Sequence, residues 1–156
     1  MKFNDIDDLL EQNKNFACGY IQKNRSFMPQ AIMSVNGEII PIVIVGGREA
    51  TKSAIEKIES LKKELDWIIL MNEGYIDKVG KDRKEDIKKI YKHRSLEDRY
   101  LAGDKDVYWI FMLQAHWKEG GKFVKKMRVY DILPVSLEFV MQYETDEFDG
   151  YLVLKI

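Results

Sequence analysis

The stretch that decides the fold is DVYWIFMLQAHWKEGGKFVKKMRVYDI, residues 106–132. Two runs rich in aromatic and branched residues surround the segment 118–121, which ends in Gly120 and Gly121. This pattern predicts two long antiparallel strands joined by a tight turn. Because strand side chains alternate between the two sides of a sheet, the first strand presents one wholly apolar face. That face consists of Trp109, Phe111, Leu113, Ala115 and Trp117.

The opposite face of the same strand mixes apolar bodies with polar tips. It carries Tyr108, Ile110, Met112, Gln114 and His116. Such a mixture is typical of a sheet face that meets water, a ligand or a partner. With one tyrosine from the following strand, the predicted binding surface is Tyr108, Met112, Gln114, His116 and Tyr130. The apolar Trp109 face is instead expected to pack on a helix that begins at Ser53.

Composition limits the classes of protein that the chain can represent. A length of 156 residues fits one domain, and 46% hydrophobic residues supply a core. The net charge is -1, so the overall field does not attract polyanions. Cys18 is the only cysteine, which excludes an intrachain disulfide framework and favours the cytoplasm. No signal-peptide pattern and no apolar run of roughly 18 residues occurs, so we expect neither secretion nor membrane insertion.

The first half of the chain contains a clear hairpin signal. Asn36 and Gly37 lie between two strand-forming runs, and this pair predicts a type I′ turn because both positions need positive φ. Pro41 cannot donate to a sheet ladder, so the second strand should lie at an edge or carry a bulge. A helix is predicted before the hairpin, over about residues 4–22.

A second helix is predicted over about residues 51–64, where Ser53 and Glu56 have the spacing of a capping box. The run at 67–73 predicts a central strand buried on both faces, with Glu73 where the strand leaves the core.

The second half is less regular before the central hairpin. A short helix is predicted at 83–93, followed by a charged loop at 94–106. Two last strands are predicted at 136–143 and 151–156. Because the helices do not alternate regularly with the strands, residues 1–156 are predicted to form a single α+β domain. We expect a mixed, mainly antiparallel twisted sheet of about six to seven strands, with helices packed mainly on one face.

A metal-dependent hydrolase is one alternative function. Glu73 and the acids of the 77–106 loop could hold Mg²⁺ or Mn²⁺ for phosphoester hydrolysis, and the candidate ligands are Glu73, His93 and Asp98. The two histidines, His93 and His116, do not form a recognised zinc-binding pair.

Nucleic-acid binding is a second alternative. Basic residues are concentrated at 81–94 and 118–128, and Lys88, Lys89, Lys126 and Arg128 would contact phosphates if these stretches faced the same side. The neutral overall charge and the lack of a known nucleic-acid module weigh against this function.

No motif identifies a reaction or a cofactor. The sequence therefore favours a non-catalytic cytoplasmic protein-interaction or self-associating module, possible as a homodimer, with a protein or a second copy as its partner. Tyrosine, methionine and phenylalanine enrichment is what the cores of such interfaces use.

Overall fold

The computed structural model of the chain describes residues 3–77 and 95–148, which form three helices and six strands. The helices are α1 (Phe3–Asn24), α2 (Gly47–Ser60) and α3 (Leu96–Leu101). The strands are β1 (Gln30–Val35), β2 (Glu38–Val43), β3 (Leu65–Asp77), β4 (Val107–Glu119), β5 (Lys122–Ile132) and β6 (Phe139–Thr145).

All six strands belong to one sheet in the order β2-β1-β3-β4-β5-β6. Each neighbouring pair is antiparallel. The predicted α+β fold with a mainly antiparallel sheet is therefore confirmed. We call the side that carries Trp109 the first face and the side that carries Tyr108 the second face.

The first face forms the larger core, and α1 covers it. Four apolar residues of α1 and the alternate residues of β4 are buried in one cluster. The α1 members are Ile6, Leu10, Ala17 and Ile21. The spacing of four within each pair keeps these side chains on one side of the helix. Helix α3 lies on the same face, where the centroid of the Tyr100 ring is 5.3 Å from that of Tyr75 and 6.3 Å from that of Trp109.

Helix α2 packs on the second face. Its Ile58 is buried in a separate cluster with Ala31, Met33, Leu65 and Ile68. The expectation that the helix near Ser53 covers the Trp109 face is therefore wrong. Helix α2 follows the outermost strand β2 after a short connection, and the strand residues that it contacts point away from α1.

The predicted hairpin is confirmed between β1 and β2. Asn36 has φ 50° and Gly37 has φ 82°, as a type I′ turn requires. Val35 lies opposite Glu38, which leaves two residues in the turn. Strand β2 is at the edge of the described sheet, as Pro41 predicted.

The start of α2 differs from the prediction. The helix begins at Gly47, because Gly46 at φ 112° and Gly47 at φ 74° turn the chain out of β2 at once. Ser53 therefore lies inside the helix, and Ser53 and Glu56 do not form a capping box. Helix α1 continues without a break past Cys18 to Asn24.

Helix α3 replaces part of the predicted loop at 94–106. The Ser95 hydroxyl accepts a hydrogen bond from the backbone N–H of Asp98 at 3.2 Å, which is a side-chain N-cap. The buried Arg99 donates to Asp77 at 2.8 Å and to Asp104 at 2.9 Å. These ion pairs attach the helix to the end of β3.

Other boundaries also shift. Strand β3 extends beyond Glu73 to Asp77, and β6 begins at Phe139 because Leu137, at φ 58°, is part of a turn. The helix predicted at 83–93 and the strand predicted at 151–156 lie outside the described residues.

Candidate binding site

The second face is built from rows of directly opposed residues that cross the sheet. One row runs from Asn72 on β3 through Met112 and Val129 to Tyr143 on β6. The next row runs from Leu70 through Gln114 and Met127 to Thr145. These rows place Met112 and Gln114 at the centre of the face, with the predicted Tyr108 and His116 at either end of the same strand.

A pocket of about 590 Å³ lies between α2 and the β3–β4 part of the second face. The sheet supplies its floor through Leu70, Asn72, Met112 and Gln114. Helix α2 supplies one wall through Arg48, Thr51, Lys52, Ile55 and Glu56. Two members of the predicted binding surface, Met112 and Gln114, therefore line a concave site.

Gln114 is the buried polar group of this pocket. Its side chain is only 7% exposed, and its Oε1 atom accepts no hydrogen bond within the described part of the chain. Buried amide oxygens in proteins are nearly always paired, because water no longer solvates them. The Gln114 side chain also lines the pocket, so a bound hydrogen-bond donor that reaches this oxygen would satisfy it.

His116 lies further along β4, directly opposite Ile68 and Lys125. It is 2% exposed, and the centroid of its ring lies 6.1 Å from that of Phe148 in an edge-on arrangement. Burial, assisted by the charge of Lys125, lowers the pKa of His116 to about 4. The imidazole is therefore neutral at pH 7.

The outer part of the second face exposes apolar side chains. Val140 is 48% exposed and Tyr143 is 46% exposed, although both lie in β6. Met127, which is half-buried, lies on the adjoining strand, and Tyr108 is exposed near the start of β4. We call Tyr108, Met127, Val140 and Tyr143 the outer patch.

Tyr130 does not join the other predicted binding residues. It lies opposite Phe111 and is buried in the first-face core. Burial raises the pKa of its hydroxyl above the ordinary value. Tyr130 is thus a residue of the core rather than of the binding surface.

The carboxylate of Glu73 accepts hydrogen bonds from two different parts of the chain. Its carboxylate accepts from the indole Nε1 of Trp109 at 2.7 Å and from the backbone N–H of Phe27 at 3.0 Å. Asp98 is exposed in the first turn of α3, and His93 lies outside the described residues. Across residues 3–77 and 95–148, no three His, Cys, Asp or Glu side chains are grouped as metal ligands.

Two members of the predicted basic patch are paired inside the chain. Lys126 lies 3.1 Å from Asp7 and 3.6 Å from Glu144, and Arg128 lies 2.8 Å and 2.6 Å from the same two residues. These carboxylates compensate the two positive charges on the first face. Lys88 and Lys89, the other predicted members, lie outside the described residues.

The sequence did not indicate the contribution of α2 to the site. Arg48 and Lys52 are four positions apart, which places them on one side of a helix, but only the fold brings that side over Asn72 and Gln114. The helix predicted from about residue 51 excludes Arg48, so the sequence does not show that Arg48 and Lys52 share one side of a helix.

No helix in the described ranges is both long enough and apolar enough to cross a membrane. Comparison with protein-family models, with curated proteins and with solved structures finds no match. The geometry of the second face is therefore the basis for a functional assignment.

Proposed function

We propose that the protein is a non-catalytic interaction module that self-associates through the outer patch of its second face. The observation that carries this proposal is the exposure of Val140 and Tyr143 on a strand whose neighbours on the same face are Asp131 and Val129. Tyrosine, methionine and aliphatic side chains at this density are typical of interface cores.

A second copy of the chain suits this surface. A twofold symmetric contact uses the same patch on both subunits, so one apolar row can face its own copy without a second specialised surface. The charged second-face residues of β5 are Lys125 and Asp131, which balance in sign. Two such faces therefore meet without a strong electrostatic penalty.

The proposal is tested by sedimentation velocity over a concentration series from the low micromolar to the high micromolar range. We expect a reversible dimer for the natural sequence. The double variant Val140→Lys, Tyr143→Glu preserves net charge and should weaken the dimer by at least about tenfold, since it places charges in the contact.

The matched control is Val135→Lys. Val135 is 93% exposed in the connection between β5 and β6 and is not a member of the outer patch, so this variant should dimerise normally. A natural chain that stays monomeric at the highest concentration, or equal dissociation constants for all three proteins, would refute the proposal. Thermal unfolding of each variant checks that the fold is retained.

A further inference from the structure

The pocket beneath α2 shares no lining residue with the outer patch. Its volume of about 590 Å³ lies within the roughly 300–1,000 Å³ typical of small-molecule sites. Leu70, Met112 and Ile55 give it apolar surfaces on both the sheet side and the helix side. A flat apolar group of modest size would therefore find contacts on two sides.

The pocket also contains a specific polar requirement. Gln114 Oε1 is buried without a donor in the described residues, and Leu70 lies directly opposite on the neighbouring strand. An unpaired buried acceptor lowers the stability of the free protein. Because Oε1 is itself closed to solvent, a ligand N–H or O–H group would remove that penalty once the Gln114 amide turns this oxygen toward the pocket. The half-buried amide of Asn72 lies on the same floor.

The mouth of the pocket carries positive charge. Arg48 and Lys52 project from successive turns of α2, and neither forms an ion pair with any residue that the structure describes. Glu56 is one turn further along and offsets one of the two charges. Among the residues that line the pocket, the remaining positive charge favours an anionic group beside Arg48 and Lys52, and the helix dipole acts in the same direction. Glu49, in the first turn of α2, does not line the pocket.

We propose that this pocket binds a small organic anion with an apolar ring body and an N–H or O–H donor. The ring body lies between Ile55 and the Leu70–Met112 floor. The donor bonds to Gln114, and the anionic group lies between Arg48 and Lys52. The apolar walls select the ring body, Gln114 selects the donor, and Arg48 and Lys52 select the anionic group. All three parts can therefore be tested separately.

Anilinonaphthalene sulfonate is a suitable probe, because it combines a ring body, an N–H donor and an anionic group. Its uncharged parent, phenylnaphthylamine, has the same rings and N–H without the sulfonate. We expect the natural chain to bind one sulfonate probe per pocket, measured by fluorescence titration, and to bind the uncharged parent more weakly. The affinity for the sulfonate should fall as salt concentration rises.

Two charge variants separate the pocket from general electrostatic attraction. Arg48→Gln with Lys52→Gln should weaken the sulfonate probe by about tenfold and leave the uncharged parent unchanged. The control, Lys57→Gln with Lys62→Gln, removes the same charge from exposed positions that do not line the pocket. It should bind the sulfonate nearly as well as the natural chain.

Gln114→Leu tests the buried acceptor with a readout that distinguishes binding from structure. The variant should weaken both probes by roughly fivefold, because each loses its hydrogen bond. It should also raise the melting temperature of the free protein, because the substitution removes an unpaired buried polar atom. A purely structural role for Gln114 would lower that temperature instead.

The outcomes are decisive in either direction. One-to-one binding that depends on Arg48, Lys52 and Gln114, and that persists in the Val140→Lys, Tyr143→Glu variant, supports the proposal. Absence of probe binding, equal sulfonate affinity in the two charge variants, or loss of binding only in the outer-patch variant overturns it. Sedimentation of the same proteins reports self-association independently, so failure of one proposal is distinguishable from failure of the other.

Discussion

At the scale of single residues, Glu73 connects three parts of the chain through one carboxylate. It receives donors from Trp109 on β4 and from Phe27 after α1. We expect Glu73→Gln to lower the free energy of unfolding by about 1–3 kcal/mol, because an amide offers one acceptor oxygen where the carboxylate offers two. Urea unfolding of the variant measures this change.

The control for that substitution is Glu97→Gln, which alters an exposed carboxylate in the first turn of α3. It should change stability by no more than about 0.5 kcal/mol. If Glu73 instead served a metal ion, Glu73→Gln would abolish divalent-metal binding without a matching loss of stability.

His116 makes stability depend on pH. Its pKa in the folded chain is about 4, against 6.5 for an unperturbed histidine, so the unfolded chain takes up the proton first as pH falls. The contribution of neutral His116 to the free energy of unfolding is complete above pH 6.5 and decreases as the pH falls to 4. The loss amounts to at most about 3 kcal/mol.

This loss is measured as the difference in urea unfolding between pH 7.5 and pH 4.5. His116→Leu should reduce the difference relative to the natural chain. An unchanged pH dependence in His116→Leu would contradict the assignment, because carboxylates that titrate in the same range are common to both proteins.

Side-chain alternation predicted correctly which residues of β4 share a face. The assignment of Tyr130 to the second-face binding surface was wrong. The turn at Gly120 and Gly121 pairs Glu119 with Lys122, and this register puts Tyr130 opposite Phe111 on the first face. A shift of one residue would have reversed the faces of β5. Composition alone does not reveal that register.

At the scale of elements, Pro41 interrupts the row of backbone donors along the outer edge of β2. The backbone N–H of Ile44 donates to the carbonyl oxygen of Pro29, towards β1. Backbone groups alternate in direction along an antiparallel strand, so those of Ile39, Pro41 and Val43 point away from β1. Pro41 therefore removes the middle outward donor of a strand that exposes the apolar side chains of Ile39 and Val43.

We expect Pro41→Thr to increase aggregation, because it restores a continuous row of outward donors for pairing with another chain. Light scattering during incubation below the melting temperature measures the effect. Pro134→Thr, in the connection after β5, is the control and should remain as soluble as the natural chain. Equal aggregation of the two variants would show that Pro41 does not protect the edge.

Local signals predicted some elements well and others poorly. The hairpin at Asn36 and Gly37 was predicted because its turn needs positive φ at both positions, which few residue pairs satisfy. The start of α2 was misplaced because Gly46 and Gly47 already begin the helix, six residues before the apparent cap at Ser53. Helix α3 was missed because six residues are too few for a periodic pattern.

At the scale of the whole molecule, the α+β class and the antiparallel sheet were predictable, but the placement of the helices was not. Both α1 and α2 have an apolar side, and nothing local tells which face of the sheet each will cover. The pocket was likewise not predictable from local sequence. It combines positions near Arg48, Leu70 and Gln114, and only the tertiary structure brings these three parts together.

The ion pairs that anchor α1 have a consequence for the order in which the chain acquires its structure. Asp7 bonds to Lys126 and Arg128, partners 119 and 121 residues later in the sequence. During synthesis α1 emerges before β4 and β5, and the core that buries Ile6 and Leu10 is incomplete until these strands have followed. Helix α1 is thus made well before the strands that bury its apolar side, which predicts slow folding and an apolar helix that stays uncovered until β5 is complete.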